Sequence, residues 1–133
     1  MNLKLDRAIE IIKEEFNPIV IYLFGSAAKD ELREDSDIDL AFLCDAEVDP
    51  YTCFMKAQEI ADELKREVDL INLSEASTVF KAQIIGTGKV IYCKNNTERM
   101  YFEMRSLKEY ALLNEERECI LNKIKERGSV YGK

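Results

Sequence analysis

Apolar residues recur along this chain with two different periods, and the alternation between those periods lays out its elements. Leu5, Ala8, Ile9, Ile12 and Phe16 fall at helical spacing and predict an amphipathic helix ending at Asn17-Pro18. Ile19 to Phe24 is a β-branched and aromatic run too short for a helix, hence a buried strand, which Gly25 ends. Ala27 to Leu32 predicts a short helix, Arg33 to Ser36 a charged turn, and Asp37 to Cys44 a second strand, antiparallel or mixed with the first. Asp49-Pro50 provides an N-cap and a proline at the first helical position. The helix they open carries Phe54, Ala57, Ala61 and Leu64 on one stripe. Glu67 to Leu73 predicts a third strand. Ser74 is the expected N-cap of a helix carrying Val79, Phe80, Ile84 and Ile85, stopped by Gly86 and Gly88. Lys89 to Cys93 follows as a fourth strand. From Thr97 to about Arg127 a long helix closes the chain, with Met100, Met104, Leu107 and Ala111 as a stripe expected to pack on the sheet. The apolar stripe restarts at Ile120, Leu121 and Ile124 after the charged NEERE segment. The part from about 119 to 131 is therefore expected to dock another protein. Strands interleaved with helices predict an α/β domain spanning residues 1–133.

One stretch departs from what packing alone selects: Leu23 to Leu43, LFGSAAKDELREDSDIDLAFL. Successive strand side chains alternate faces, so Asp37 and Asp39 project side by side while Ile38, Leu40 and Phe42 point the other way. Parallel carboxylates at the start of a hydrophobic strand repel each other, which costs stability unless a cation sits between them. Hard oxygen donors suit Mg²⁺ or Mn²⁺. Gly25 lets the chain turn sharply as a strand ends, and Ser26 can open a helix whose free N–H groups face an anion. A phosphate cradle beside paired carboxylates is a nucleotide-handling arrangement. In the third predicted strand Asp69 interrupts apolar residues and shares a face with Ile71 and Leu73. It reads equally as a solvated acid on an edge strand or as a third site carboxylate, with Glu67 as the alternative on the same face.

Gly25-Ser26, ten residues, then Asp37-x-Asp39 resembles the signature of the DNA polymerase beta-like nucleotidyltransferase superfamily. The form LFGSAA…SDIDLAFL is most similar to its small stand-alone members, the minimal nucleotidyltransferases (MNT, MntA-type antitoxins) of HEPN/MNT toxin–antitoxin pairs. The resemblance implies a nucleotidyltransferase fold: a small mixed sheet of about four strands, helices mainly on one side, and a long C-terminal helix. It implies Asp37, Asp39 and Asp69 as catalytic residues holding two Mg²⁺ ions, with Mn²⁺ as a substitute. It further implies Gly25 and Ser26 on the phosphates of ATP, with Lys29 taking part of the role that arginines play in relatives. Many relatives continue Gly-Ser with Arg-Ala-Arg-Gly, whereas this chain has Ala27-Ala28-Lys29-Asp30, which is expected to weaken its grip on a triphosphate or to change which nucleotide fits. The implied activity is transfer of AMP from ATP to a tyrosine of a partner HEPN-family RNase toxin. The alternatives are a small-molecule acceptor such as an aminoglycoside, and an antitoxin that neutralises by binding alone.

Composition narrows these classes. The chain has 133 residues and a formal charge of −7. No basic stripe is evident for a nucleic-acid backbone, which argues against direct nucleic-acid binding and favours a small phosphate ligand or a basic protein partner. An acceptor-holding second domain has no room. Cys44, Cys53, Cys93 and Cys119 form no C-x-x-C pair and the chain contains no histidine, so a zinc set and Ser-His or Cys-His nucleophilic schemes are excluded. No apolar run reaches membrane-spanning length. The start, MNLKLDRAIEII, has early acids and no small-residue cleavage site, giving the expectation of a cytoplasmic chain without a signal peptide.

Overall fold

The computed structural model describes residues 5–25 and 37–131, apart from the side chains of residues 119–131. The helix expected at 27–32, the charged turn after it, and the side chains of the expected distal docking segment lie outside the described residues. The first helix, α1 (Leu5–Phe16), has Asp6 in its first turn and Lys13 in its last, both favourable to the helix dipole. Asn17 ends it with φ +47, donating its N–H to the Lys13 carbonyl at 3.1 Å, and Pro18 follows. The strands β1 (Val20–Phe24), β2 (Ile38–Leu43), β3 (Val68–Asn72) and β4 (Lys89–Cys93) form one sheet in the order β3-β2-β1-β4. β1 runs antiparallel to β2 and β4, whereas β2 and β3 are parallel. The expected mixed four-stranded sheet is therefore present.

Its helices cover both faces, a correction to the expectation that they pack mainly on one. The reason is visible in β1, where Val20, Ile21, Tyr22 and Leu23 are all buried, so neither parity of side chains faces water. One face carries Ile21, Leu23, Leu40, Phe42, Val68 and Leu70 against α1 and α2 (Pro50–Leu64), including a stacked Phe16–Phe42 pair with ring centroids 4.5 Å apart. The other carries Val20, Tyr22, Ala41 and Leu43 against Ile84 of α3 (Thr78–Thr87) and Phe102 of α4 (Asn96–Tyr131).

Local chemistry sets the helix ends. Asp49 caps α2, its carboxylate accepting from the Tyr51 N–H at 3.2 Å, with Pro50 first in the helix. Phe54, expected on the buried stripe, is 58% exposed. The inward stripe is Cys53, Ala57, Ile60, Ala61 and Leu64, and Phe54 lies one residue, about 100°, off it. Ser74 is not the cap of α3. Asn72 accepts from the Ser74 N–H over a short 3₁₀ turn at Leu73–Glu75, and Ser77 caps α3 by accepting from the Phe80 N–H at 3.1 Å. The helix runs through Gly86 and closes where Gly88 donates to the Ile84 carbonyl at 2.7 Å.

The long helix turns a different face inward from the one its apolar stripe predicts. Met100, Met104, Leu107 and Ala111 face solvent, and Met104 is 64% exposed. Phe102 and Ser106 are buried instead, flanked by the half-buried Arg99 and Glu103. The physical cause is a polar anchor. The Tyr22 hydroxyl donates to Glu103 Oε2 at 2.6 Å, and Arg99 Nη1 donates to both carboxylate oxygens of Glu103 at 3.1 Å. Burial, and then that bond to Glu103, hold the Tyr22 phenol proton on well above its ordinary range. Among the described residues no helix is long and apolar enough to cross a membrane.

If this anchor orients α4, Tyr22→Phe removes its hydroxyl donor while keeping the ring in place. We expect a loss of about 1–2 kcal/mol in unfolding free energy, read as a lower urea midpoint at unchanged m-value. An unchanged midpoint would mean that Phe102 and its apolar neighbours hold the helix without the anchor.

Candidate active site

The sheet register assembles the site. Ile38 donates its N–H to the Glu67 carbonyl at 2.9 Å, fixing where β2 and β3 meet. From there Asp39 stands directly opposite Asp69 on one side and Phe24 on the other. A single row across three strands thus holds the end of β1, the second residue of β2 and the second residue of β3. Asp69, not Glu67, is the acid in register with Asp39. Asp37 sits just before β2 on the same face as Asp39, exposed at the rim.

Asp39 is the half-buried member of the group, and Asp37 and Asp69 are exposed. Its carboxyl is raised from the usual carboxylate range to about 6. Burial is the largest cause, followed by the charge of Asp69, a side-chain hydrogen bond with Asp69, and the charge of Asp37. Asp69 therefore stands within hydrogen-bonding reach of Asp39, while Asp37 acts on Asp39 through its charge alone. Among the described residues no three acidic, thiol or imidazole groups stand close enough together to hold a metal ion as placed. The chemistry of the donor set nevertheless fits a hard dication: the groups are all carboxylate oxygens, and the strained ionisation of Asp39 is the load that a cation relieves.

Gly25 follows β1 with φ +73, the left-handed region that favours glycine. A Cβ built there would collide with Asp39 Oδ2 and lie 3.3 Å from its Cγ. Sequence reasoning assigned Gly25 to a phosphate turn. The structure adds a second duty that no sequence pattern announces: the missing side chain leaves room for the Asp39 carboxylate. Ser26 and Lys29, the other expected phosphate contacts, lie outside the described residues. A cavity of about 760 Å³ lies at the opposite end of the sheet, lined by Ile19, Leu43 and Arg105. The acids are not part of it.

Known proteins share this fold. The family model for polymerase beta nucleotidyltransferases matches residues 6–97. The protein adenylyltransferase MntA of Shewanella oneidensis is 29% identical over 120 residues, covering 90% of this chain and 86% of that protein. A solved toxin–antitoxin structure with AMP-PNP contains a chain that superposes with a TM-score of 0.81 at 29% identity, covering 92% of this chain and 98% of that one. A second structure is of the tri-AMPylated Shewanella oneidensis HEPN toxin in complex with MNT antitoxin. It matches with a TM-score of 0.75 at 28% identity, over 90% of this chain and 93% of that one.

Two measurements test the site without any substrate. Gly25→Ala places a methyl group against Asp39 on a left-handed backbone, and we expect it to destabilise the fold by about 1–3 kcal/mol in chemical denaturation. Asp39→Asn keeps the shape and removes the charge. The folded-state value of Asp39, about 6, lies above that of an unfolded carboxyl, so the folded protein binds the extra proton. Wild-type stability then declines as pH rises from about 4 to 6, and the full cost persists above that range. In EDTA we expect Asp39→Asn to be more stable than wild type at pH 8 by on the order of 1 kcal/mol, after discounting for solvent screening, with the difference vanishing near pH 4. Equal melting temperatures at pH 8 would show that the two carboxylates do not burden the fold.

Proposed function

The chain belongs to the polymerase beta nucleotidyltransferase family, and on that premise we propose that it is an antitoxin acting as a protein adenylyltransferase, moving AMP from ATP to a tyrosine of a HEPN-family toxin and so silencing it. The observation that carries this reading is the pairing of Asp39 with Asp69 at adjacent strand ends, with Gly25 against the Asp39 carboxylate and the charge of Asp39 held at a disadvantage. A protein that only binds its partner has no use for carboxylates crowded against each other. Relatives of similar length support the reading: one is a protein adenylyltransferase, and another is an MNT antitoxin in complex with an AMPylated HEPN toxin.

In this reading the tyrosine phenol oxygen attacks the α-phosphorus of ATP. The bond from that phosphorus to the oxygen bridging toward the β-phosphate breaks, and pyrophosphate leaves with the electron pair. The exposed Asp69 carboxylate accepts the phenol proton as the new bond forms. Asp37 and Asp39 face the triphosphate from the start of β2, and Gly25, Ser26 and Lys29 hold its outer phosphates. Two divalent ions, Mg²⁺ or in its place Mn²⁺, held by Asp37 and Asp39 with Asp69 completing the second site, would offset the charge gathering on the phosphates and ease ionisation of the phenol. With a formal charge of −7 the chain repels free ATP, so the acids serve it best as seats for cations that arrive with the nucleotide. The reading places the chain in the cytoplasm with its partner.

The test is incubation with Mg²⁺ and ATP labelled at the α-phosphate, with and without a HEPN-family toxin co-expressed with the chain. We expect label on a tyrosine of that protein, falling about 10²–10³-fold with Asp37→Asn or Asp39→Asn. Toxin neutralisation that survives both substitutions together, with no label transferred, would replace catalysis by binding alone. Label appearing on an added aminoglycoside would make the acceptor a small molecule.

A further inference from the structure

The sheet has two edges, and they are treated differently. At one edge, β4 opens with Lys89 and its pairing with β1 shifts register at Ile21/Tyr22, both devices that discourage a further strand from adding. At the other, β3 has regular pairing, no proline and no lysine. Because the Glu67 carbonyl faces β2, parallel alternation turns the backbone groups of Val68, Leu70 and Asn72 away from the sheet. The Leu70 carbonyl receives a Cys53 thiol at 3.4 Å, one of the weakest side-chain donors.

A groove of about 450 Å³ follows this edge between β3 and α2, lined by all of β3 together with Phe54, Gln58 and Glu75. The exposed Phe54 ring gives it an apolar wall. Asp69 lies at the end of the groove nearest the site, with its side chain on the face of β3 away from α2, where a strand added at this edge would set alternate side chains beside it. At the other end the groove meets a second hollow through Val48, Asn72 and Glu75, which adds Asp45 and Glu47. Among the described residues no lysine or arginine lines either one, whereas a further hollow at the Asp69 end, sharing Gln58, Val68 and Asp69, carries Lys65 and Arg66 beside Asp62 and Glu67.

We infer that the β3 edge is the acceptor channel: an extended, basic segment of the acceptor protein adds to β3 as a further strand and delivers its tyrosine hydroxyl to Asp69. This rests on the adenylyltransferase reading above. The occupant is argued from complementarity. Unpaired ladder groups ask for backbone, Phe54 asks for an apolar or aromatic side chain, and the acids at 45, 47, 69 and 75 ask for lysine or arginine. A strand rises about 3.3 Å per residue, so β3 seats some five acceptor residues, enough to fix which tyrosine reaches the site.

Two arms separate the channel from the reading beneath it. In the transfer arm, Glu47→Lys combined with Glu75→Lys is compared with wild type at varied acceptor concentration. We expect the acceptor KM to rise at least about ten-fold, with the KM for ATP unchanged. An unchanged acceptor KM overturns the use of this edge for the acceptor. In the binding arm, without nucleotide, the isotope-labelled chain is titrated with a lysine-flanked tyrosine peptide of about nine residues. We expect shifted and slowly exchanging amides at Val68, Leu70 and Asn72, abolished by the charge-reversing pair and absent with a glutamate-flanked peptide. Undisturbed β3 amides, or equal seating of the glutamate peptide, overturn the channel itself. A peptide that seats on β3 when wild type transfers no label upholds the channel and removes the enzymatic reading instead.

Discussion

Two carboxylates that repel each other are held in contact because the strands bearing them have no freedom to part. Asp39 meets Asp69 through a parallel register, and that register is fixed by backbone hydrogen bonds and by apolar residues on both faces of the sheet. Moving β3 by one residue would carry Val68 and Leu70 out of the core beneath α2 and drive Asp69 into it. Burial of side chains such as Ile38, Leu40 and Phe42, each worth about 1.5–3 kcal/mol, outweighs a repulsion on the order of 1 kcal/mol between half-solvated acids. The hydrophobic layers thus impose a geometry that the acids alone would abandon. The same layers raise the Asp39 carboxyl to about 6, so its ionisation costs free energy that nearby positive charge would offset.

Most of the sheet could be read from the chain because its residues carry a strong local signal. The β-branched run before Gly25, the alternation of Asp37 and Asp39 with Ile38, Leu40 and Phe42, and the Asp49-Pro50 cap each express a constraint that involves near neighbours only. What escaped the reading depends on partners distant in sequence. Ser77 caps α3 instead of Ser74 because Asn72 first draws the chain into a 3₁₀ turn. The inward face of α4 was misread because it is partly polar: Arg99, Glu103 and Ser106 turn toward the sheet where Tyr22 offers a hydroxyl 81 residues away. A periodicity argument ranks positions by hydrophobicity, so it chose the Met100, Met104 and Leu107 stripe, which the fold leaves in water. The two-faced cover of the sheet follows from β1, whose unbroken apolar run already indicated burial on both sides.

The candidate site shows the same division. The acids at 37, 39 and 69 were legible because charge inside an apolar strand is unfavourable and therefore informative. Which of them stand together was not legible, since it depends on register. Asp69 and Glu67 share a strand face, and only the pairing of Ile38 with the Glu67 carbonyl decides which of them stands opposite Asp39. The second role of Gly25, making space for a carboxylate across the ladder, is likewise a property of the assembled strands.

The sequence of strands across the sheet matches the sequence of events in the proposed reaction. From β1 to β3 the row runs from the turn at Gly25, through the acids of β2, to Asp69 at an open edge. Phosphates would be received on the β1 side and a nucleophile on the β3 side, with the scissile bond between them. In-line displacement requires attacking and leaving oxygens on opposite sides of phosphorus, and three adjacent strand ends provide that separation with no added domain. Because β3 is parallel to β2, its start lies at the same end of the sheet as Asp37, so an edge-bound segment and a nucleotide would meet without crossing. An antiparallel β3 would place its first residues at the far end of β2 and break the row. The parallel pair is therefore the feature of this small sheet on which the proposed chemistry depends.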